Sequence, residues 1–170
     1  MDMFKEITPS EASDAIDLIG KEWMLIGAAD KKHGNANAMT ASWGTIGFLW
    51  NRPVCICFIR PQRYTFGLAK ENERLSFSFF GEERRKALAF CGKESGKDGD
   101  KLERAGLAYT MVDGVPVFDS ARLTLICRKL YSDEIKKANF IDPSMLKNYP
   151  AEDFHTFYIC EIERCLIRNQ

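Results

Sequence analysis

The chain has 170 residues, and a single domain spanning residues 1–170 is expected. Its 24 Lys and Arg balance 24 Asp and Glu, so the formal net charge is zero; a protein that coats a polyanion would carry a basic excess, and no nucleic-acid partner is expected. Hydrophobic residues make up 45% and charged residues 28%, which excludes wholesale disorder, and no apolar run approaches the roughly 20 residues of a membrane helix.

The opening Met1-Asp2-Met3-Phe4-Lys5-Glu6 lacks the basic head and apolar run of a secretion signal, so a cytoplasmic location is expected. Trp23 to Ala29 reads as a largely buried strand, and Asp30 to Asn35 as a turn cluster. Asn37 to Leu49 reads as a strand with an irregular centre. Pro53 starts another, Val54 to Ile59, which Pro61 ends because it has no N–H for a central ladder. A short helix is expected from Tyr64 to Asn72, then a half-buried strand at Leu75-Ser76-Phe77-Ser78-Phe79, where apolar residues alternate.

The middle is more helical. Glu82 to Phe90 places Ala87, Leu88 and Phe90 on one helical face, Gly92 to Lys97 is a loop, and Asp98 is expected to cap a second short helix closed by Gly106. Strands resume at Ala108 to Val112, Val115 to Phe118, Ala121 to Leu130 and Phe154 to Ile167, with Asp113-Gly114 as a hairpin signal. Ala138 to Pro150 is an excursion. About seven strands with few short helices predict a mainly β protein, a closed or nearly closed barrel. No G-x-G-x-x-G follows a strand, which disfavours a dinucleotide-binding α/β domain. A small barrel fills its interior with side chains, so a large cofactor would sit on its wall, at its rim or across a subunit interface.

Cys55, Cys57, Cys91, Cys127, Cys160 and Cys165 include no C-x-x-C pair, so they read as free thiols, mostly buried; Cys55 and Cys57 share a strand face. His33 and His155 show no metal-ligand spacing and no metal site is expected; His155, at the start of a long strand, is the better functional candidate. Gly92 to Asp98 fails the phosphate-loop template because three residues separate the glycines and Asp98 stands where Ser or Thr would hold magnesium.

Two stretches carry chemistry. In Asn37-Ala38-Met39-Thr40-Ala41-Ser42-Trp43, alternation sets Asn37, Met39, Ala41 and Trp43 on one face and Ala38, Thr40 and Ser42 on the other. Such a strand either turns its hydroxyls and amides to a ligand or simply to water. In Arg60-Pro61-Gln62-Arg63-Tyr64-Thr65, two guanidinium groups precede a helix start, whose free N–H groups and dipole suit a phosphomonoester without a metal. A solvated basic turn is the alternative.

Together with Cys91-Gly92-Lys93-Glu94-Ser95-Gly96-Lys97-Asp98-Gly99-Asp100-Lys101, these stretches resemble the flavin reductase-like family, in particular its flavoredoxin-type members. The third block is similar to the family pattern C-G-x-x-S-G-[RK]-D-x-D-K. Phe157-Tyr158-Ile159-Cys160-Glu161-Ile162 resembles its Y-I-G-E-[IV] strand, with Cys160 in place of glycine. The likeness runs from about Trp23 to Arg168. It implies a Greek-key FMN-binding split barrel, a homodimer holding FMN near its interface, and an oxidoreductase fed by NAD(P)H or a redox protein. Thr40, Ala41, Ser42 and Trp43, with Asn37 and Met39, are then expected along the isoalloxazine and ribityl chain. Arg63, Tyr64 and Thr65 would hold the phosphate with Arg60 close by, and Ser95, Gly96 and Lys101 would approach the ring's polar edge. No catalytic side chain is assigned, since the cofactor carries the electron chemistry. The rival readings are an electron-transfer flavoprotein without its own small-molecule substrate and a non-enzymatic module holding flavin or haem.

Overall fold

The computed structural model describes residues 13–168. The segment Met1 to Glu6, read above for a secretion signal, lies outside them. Ser13 caps helix α1 (Asp14–Gly20), its hydroxyl accepting from the Ala15 amide. Strands β1 (Met24–Asp30), β2 (Asn35–Ala41), β3 (Gly44–Leu49) and β4 (Arg52–Ile59) follow, then helix α2 (Tyr64–Glu71) and strand β5 (Arg74–Phe79). Helices α3 (Arg85–Lys93) and α4 (Lys101–Arg104) precede the hairpin β6 (Tyr109–Val112) and β7 (Val115–Phe118). Two 12-residue strands, β8 (Leu123–Glu134) and β9 (Thr156–Ile167), flank an excursion built from short 3₁₀ turns.

Seven strands form one antiparallel sheet in the order β2-β1-β5-β8-β9-β4-β3. Strands β2 and β3 stand at opposite ends of that order, yet only Ser42 and Trp43 separate them. Three peptide steps from Ala41 to Gly44 span at most about 11 Å. The sheet must therefore curl until its two ends meet. The result is a mainly β barrel with a seam where β2 and β3 pass each other without a shared ladder among the described residues. This is the split-barrel architecture expected above.

Both faces of β1 are buried, which explains the unbroken apolar run Met24 to Ala29. Met24, Ile26 and Ala28 point into the barrel with Met39, Phe77, Phe79 and Leu125. Leu25, Ala36 and Ala38 point outward against Leu88, Cys91, Leu102 and Phe118 of α3, α4 and β7. Four cysteines, Cys55, Cys57, Cys127 and Cys160, pack inside the barrel as apolar side chains, and Cys91 packs outside it; only Cys165 is exposed. Burial pushes the thiols of Cys55 and Cys127 well above the ordinary range.

Several local expectations shift. Trp23 lies outside β1 at φ +71°, with the Arg85 guanidinium stacked 3.4 Å from its ring centre. The predicted single stretch Asn37 to Leu49 is two strands broken at the seam. The strand Leu75 to Phe79 is buried on both faces: the β6–β7 hairpin reaches Ser76, which donates to the Pro116 carbonyl at 2.7 Å, and Ser78 pairs with Thr124 of the neighbouring β8 at 2.9 Å. Asp100, not Asp98, caps α4, its Oδ1 accepting from the amides of Leu102 and Glu103. The Asp113-Gly114 turn closes its hairpin as expected, with both residues at positive φ.

Candidate functional site

The seam leaves a cavity of about 200 Å³ at one end of the barrel. Met39, Thr40 and Ala41 of β2 and the linker residues Ser42 and Trp43 form one side; Phe58 at the end of β4, Arg60, Arg63 and His155 form the other. Trp43 stands at the rim, 44% exposed, with its ring 5.1 Å from that of His155. Phe58 meets His155 edge-on at 6.4 Å. The Thr40 hydroxyl is already used, donating to the Leu88 carbonyl at 2.6 Å and tying β2 to α3.

Each basic group here is held differently. Arg60 donates to Asp153 at 2.6 Å and to the Asn148 carbonyl at 2.8 Å, and its guanidinium lies 5.0 Å from the Tyr149 ring centre. It therefore fastens the 137–155 excursion to the barrel. Arg63 reaches the C-terminal end of α3, donating to the carbonyls of Gly92 at 2.6 Å and Cys91 at 3.2 Å. Lys101, 3% exposed, donates to the Cys91 and Glu94 carbonyls at 3.3 and 3.2 Å. Neither Arg63 nor Lys101 makes an ion pair with a carboxylate among the described residues. Burial lowers both, Lys101 to about 8, with the nearby Arg63 charge adding to the effect on Lys101. A buried lysine and a half-buried arginine that share the Cys91 carbonyl suit an incoming anion. His155 is pushed down to about 4 by burial and by Arg60, so its ring is neutral at pH 7; its Nδ1 lies 2.9 Å from the Tyr149 hydroxyl.

A larger cavity, about 480 Å³, adjoins along β2. Asp30, His33, Asn37, Tyr64, Gly96 and Lys101 are among its walls. Asp30, 3% exposed, accepts from the Tyr64 hydroxyl at 2.7 Å and from His33 Nδ1 at 2.8 Å. Burial pushes its carboxyl up, but these hydrogen bonds outweigh that and hold it below the usual range. The same bond raises the Tyr64 phenol to about 12. Gly96 is a fitted position: a Cβ there would lie 2.5 Å from Asn37 Oδ1 and 2.7 Å from the Tyr64 ring.

The sequence-derived residues thus fall into groups. Met39, Thr40, Ala41, Ser42, Trp43, Arg60 and Arg63 line the seam cavity. Asn37, Tyr64, Gly96 and Lys101 line the larger one. Thr65 is 1% exposed and accepts from Asn37 Nδ2 at 2.9 Å, bracing the wall between β2 and α2. Ser95 caps a 3₁₀ turn, its hydroxyl accepting from the Lys97 amide at 3.2 Å. Phe58 and Asp30 were missed, and His33 and His155 were noted without being assigned to the site. Phe58 had a usable signal, since it lies two residues before Arg60 and shares its side of the chain. The Asp30–Tyr64 contact had none, because 34 residues separate the partners.

Comparison with known proteins comes to the same architecture. The sequence matches the family profile described as flavin reductase like domain over residues 18–170. Among curated proteins no match is found. Flavoredoxin from Methanosarcina acetivorans superposes with a TM-score of 0.68 at 22% identity, covering 88% of this chain and 69% of that one. An FMN-binding protein from Thermus thermophilus with bound 1-cyclohex-2-enone gives 0.66 at 20% identity, covering 98% and 80%. The styrene monooxygenase flavin reductase from Pseudomonas putida S12 gives 0.64 at 18% identity, covering 87% and 80%. At these identities the structural likeness speaks to the fold.

Proposed function

Because the chain belongs to the flavin reductase-like family, we propose that it is a flavoprotein oxidoreductase that binds FMN at the barrel seam and passes electrons from a reduced nicotinamide or a protein donor to a flavin, a small acceptor or a redox partner. The observation that carries this reading is one juxtaposition. An aromatic-rimmed slot (Trp43, Phe58, His155) ends at Arg63, a half-buried cation with no carboxylate partner among the described residues. A flat ring with an anionic tail matches both halves. When bound, FMN supplies a ring that accepts and releases electrons.

The chain's own groups bind, orient and set access. Backbone and side chains of Thr40 to Trp43 would face the ring, and the Arg63-Tyr64-Thr65 turn would receive the phosphate. The first amides of α2 and the Arg63 fork are suited to that charge. Lys101 groups with Tyr64 and Gly96 rather than with Trp43, so we assign it to the tail end of the ligand. Its ammonium would offset the phosphate. His155, neutral at pH 7, can contact the ring without adding positive charge.

The seam cavity of about 200 Å³ is smaller than the roughly 300 Å³ at which small-molecule pockets begin. A ring seated there keeps one face uncovered within the protomer. The exposed Trp43, Phe48, Trp50 and Tyr131 supply apolar surface for a second copy, which supports a homodimer that covers that face. Buried free thiols suit a reducing compartment, in keeping with a cytoplasmic setting.

The test is direct. Titration with FMN should give saturable uptake with a perturbed flavin absorption spectrum. Anaerobic mixing of the loaded protein with NADH or NADPH should then bleach it rapidly. Absence of FMN uptake overturns the proposal, whereas uptake without bleaching by either nicotinamide replaces the enzyme with an electron carrier.

A further inference from the structure

The excursion between β8 and β9 carries a side-chain pair whose task is still open. Tyr149, 7% exposed, and His155, 6% exposed, meet edge-on, and the Tyr149 hydroxyl lies 2.9 Å from His155 Nδ1. The pair is held from outside. The Arg60 guanidinium grips the Asn148 carbonyl, one residue before Tyr149, and the Asp153 carboxylate, two residues before His155. Gln62 donates to the same Asp153 oxygen at 2.6 Å, and the His155 carbonyl accepts from the Ile135 amide at 2.9 Å. The Tyr149 ring packs 4.8 Å from that of Phe154 and 6.0 Å from that of Phe140. Both partners are therefore braced before any ligand arrives.

The proton between them can be assigned. The imidazole, flanked by Arg60 and Asp153, is neutral at pH 7, so it carries one N–H, on Nδ1 or on Nε2. Burial pushes the Tyr149 phenol up, so the hydroxyl keeps its hydrogen. Among the described residues that hydrogen has one acceptor, Nδ1. With Nδ1 protonated, two hydrogens would face each other, or the hydroxyl would turn its own into the packed rings as an orphaned donor. An orphan of that kind disfavours the arrangement by roughly five- to a hundredfold. Tyr149 thus donates to Nδ1, and the imidazole hydrogen sits on Nε2. Nε2 makes no hydrogen bond among the described residues and stays accessible, and His155 lines the seam cavity beside Trp43 and Phe58.

We propose that Tyr149 is a positioning residue that fixes His155 in its Nε2–H form, so that the seam presents a neutral N–H donor to a carbonyl oxygen or ring nitrogen of its ligand. The other form would turn a lone pair to the cavity and repel those same atoms. The pair therefore selects rings that are rich in acceptors over rings that offer N–H or O–H at that edge. It does so by direction rather than by charge. The inference rests on the seam as the flavin site.

Long-range proton–nitrogen NMR of the full chain labelled at histidine reads the tautomer directly. Two histidine patterns are expected, and His33→Gln removes the one that does not belong to His155. In the apo protein at pH 7, His155 should show the Nε2–H pattern. Tyr149→Phe keeps the ring and its packing and should let the Nδ1–H form appear. Saturating FMN should shift the Nε2–H proton of His155 downfield, and Tyr149→Phe should weaken FMN about two- to tenfold. A purely structural Tyr149 would alter affinity and leave the tautomer unmoved. An Nδ1–H pattern in the native protein, or an unchanged pattern in Tyr149→Phe, overturns the assignment. FMN that binds without moving the Nε2–H signal overturns the contact with the ligand. FMN that fails to bind, with the apo pattern as expected, counts instead against the function proposed above.

Discussion

Lys101 offers a quantitative test of the charge imbalance at the site. Its ammonium is buried against carbonyls alone, and its pKa falls from 10.5 to about 8. At about 1.4 kcal/mol per pH unit, keeping it charged costs the apo protein on the order of 3 kcal/mol. The sign follows from proton counts. Below pH 8 the lysine is protonated in both folded and unfolded chains, and the full penalty is present. Between about 8 and 10.5 the unfolded chain holds a proton that the folded one has shed, so stability rises with pH through that window. Urea unfolding of the apo protein and of Lys101→Met, at pH 7 through 10 and each also carrying Cys91→Ser to remove the thiol coupled to the lysine, isolates the contribution because groups uncoupled to Lys101 cancel. The chain that keeps Lys101 should gain roughly 2–3 kcal/mol on the variant across the series. Saturating FMN should move the rise to higher pH, since a phosphate beside Lys101 favours the ammonium. Parallel stability curves for the two proteins would refute the reasoning.

Arg63→Ala should weaken FMN by about ten- to a hundredfold and riboflavin far less, because only FMN carries the phosphate, and fluorescence titration of both ligands separates them. Equal losses would leave Arg63 with only its role at the end of α3. Thr40→Val removes the hydroxyl that donates to the Leu88 carbonyl and should cost about 1–3 kcal/mol in urea unfolding, with that carbonyl left without its side-chain partner. With an aromatic disulfide reagent, the native protein should release one equivalent quickly, from Cys165, and the five buried thiols only at the rate of unfolding. Several fast equivalents would contradict the packing of Cys55, Cys57, Cys127 and Cys160 inside the barrel.

The sequence was most legible where one chain segment decides its own structure. Alternation and turn residues located the β4 strand, the Asp113-Gly114 hairpin and the 12-residue β9 strand close to their observed bounds. It was least legible where another element decides. Ser76 and Ser78 read as a solvated face because nothing local announces that Ser76 will bond a hairpin 40 residues on and Ser78 a threonine of β8. Asp98 and Asp100 are equally good caps by residue type, but Gly99 stands at φ +106°, outside the helical region, so the helix begins after Asp100. At the site, short motifs named most of the lining residues. They could not show that Arg60 is engaged by Asp153, 93 residues away, or that one strand serves two separate cavities.

The junction between β2 and β3 has a thermodynamic consequence. Everywhere else the barrel's circumference is stitched by peptide hydrogen bonds; at this joint it is closed by side chains and by whatever lodges there. The hoop is thus as strong as its occupant, and its breathing follows ligand activity through mass action, as RT ln(1 + [L]/Kd). Amide exchange along Asn35–Ala41 and Gly44–Leu49, the two rims with a ladder on one side only, should slow as FMN is added, while the interior strand β5 stays unchanged.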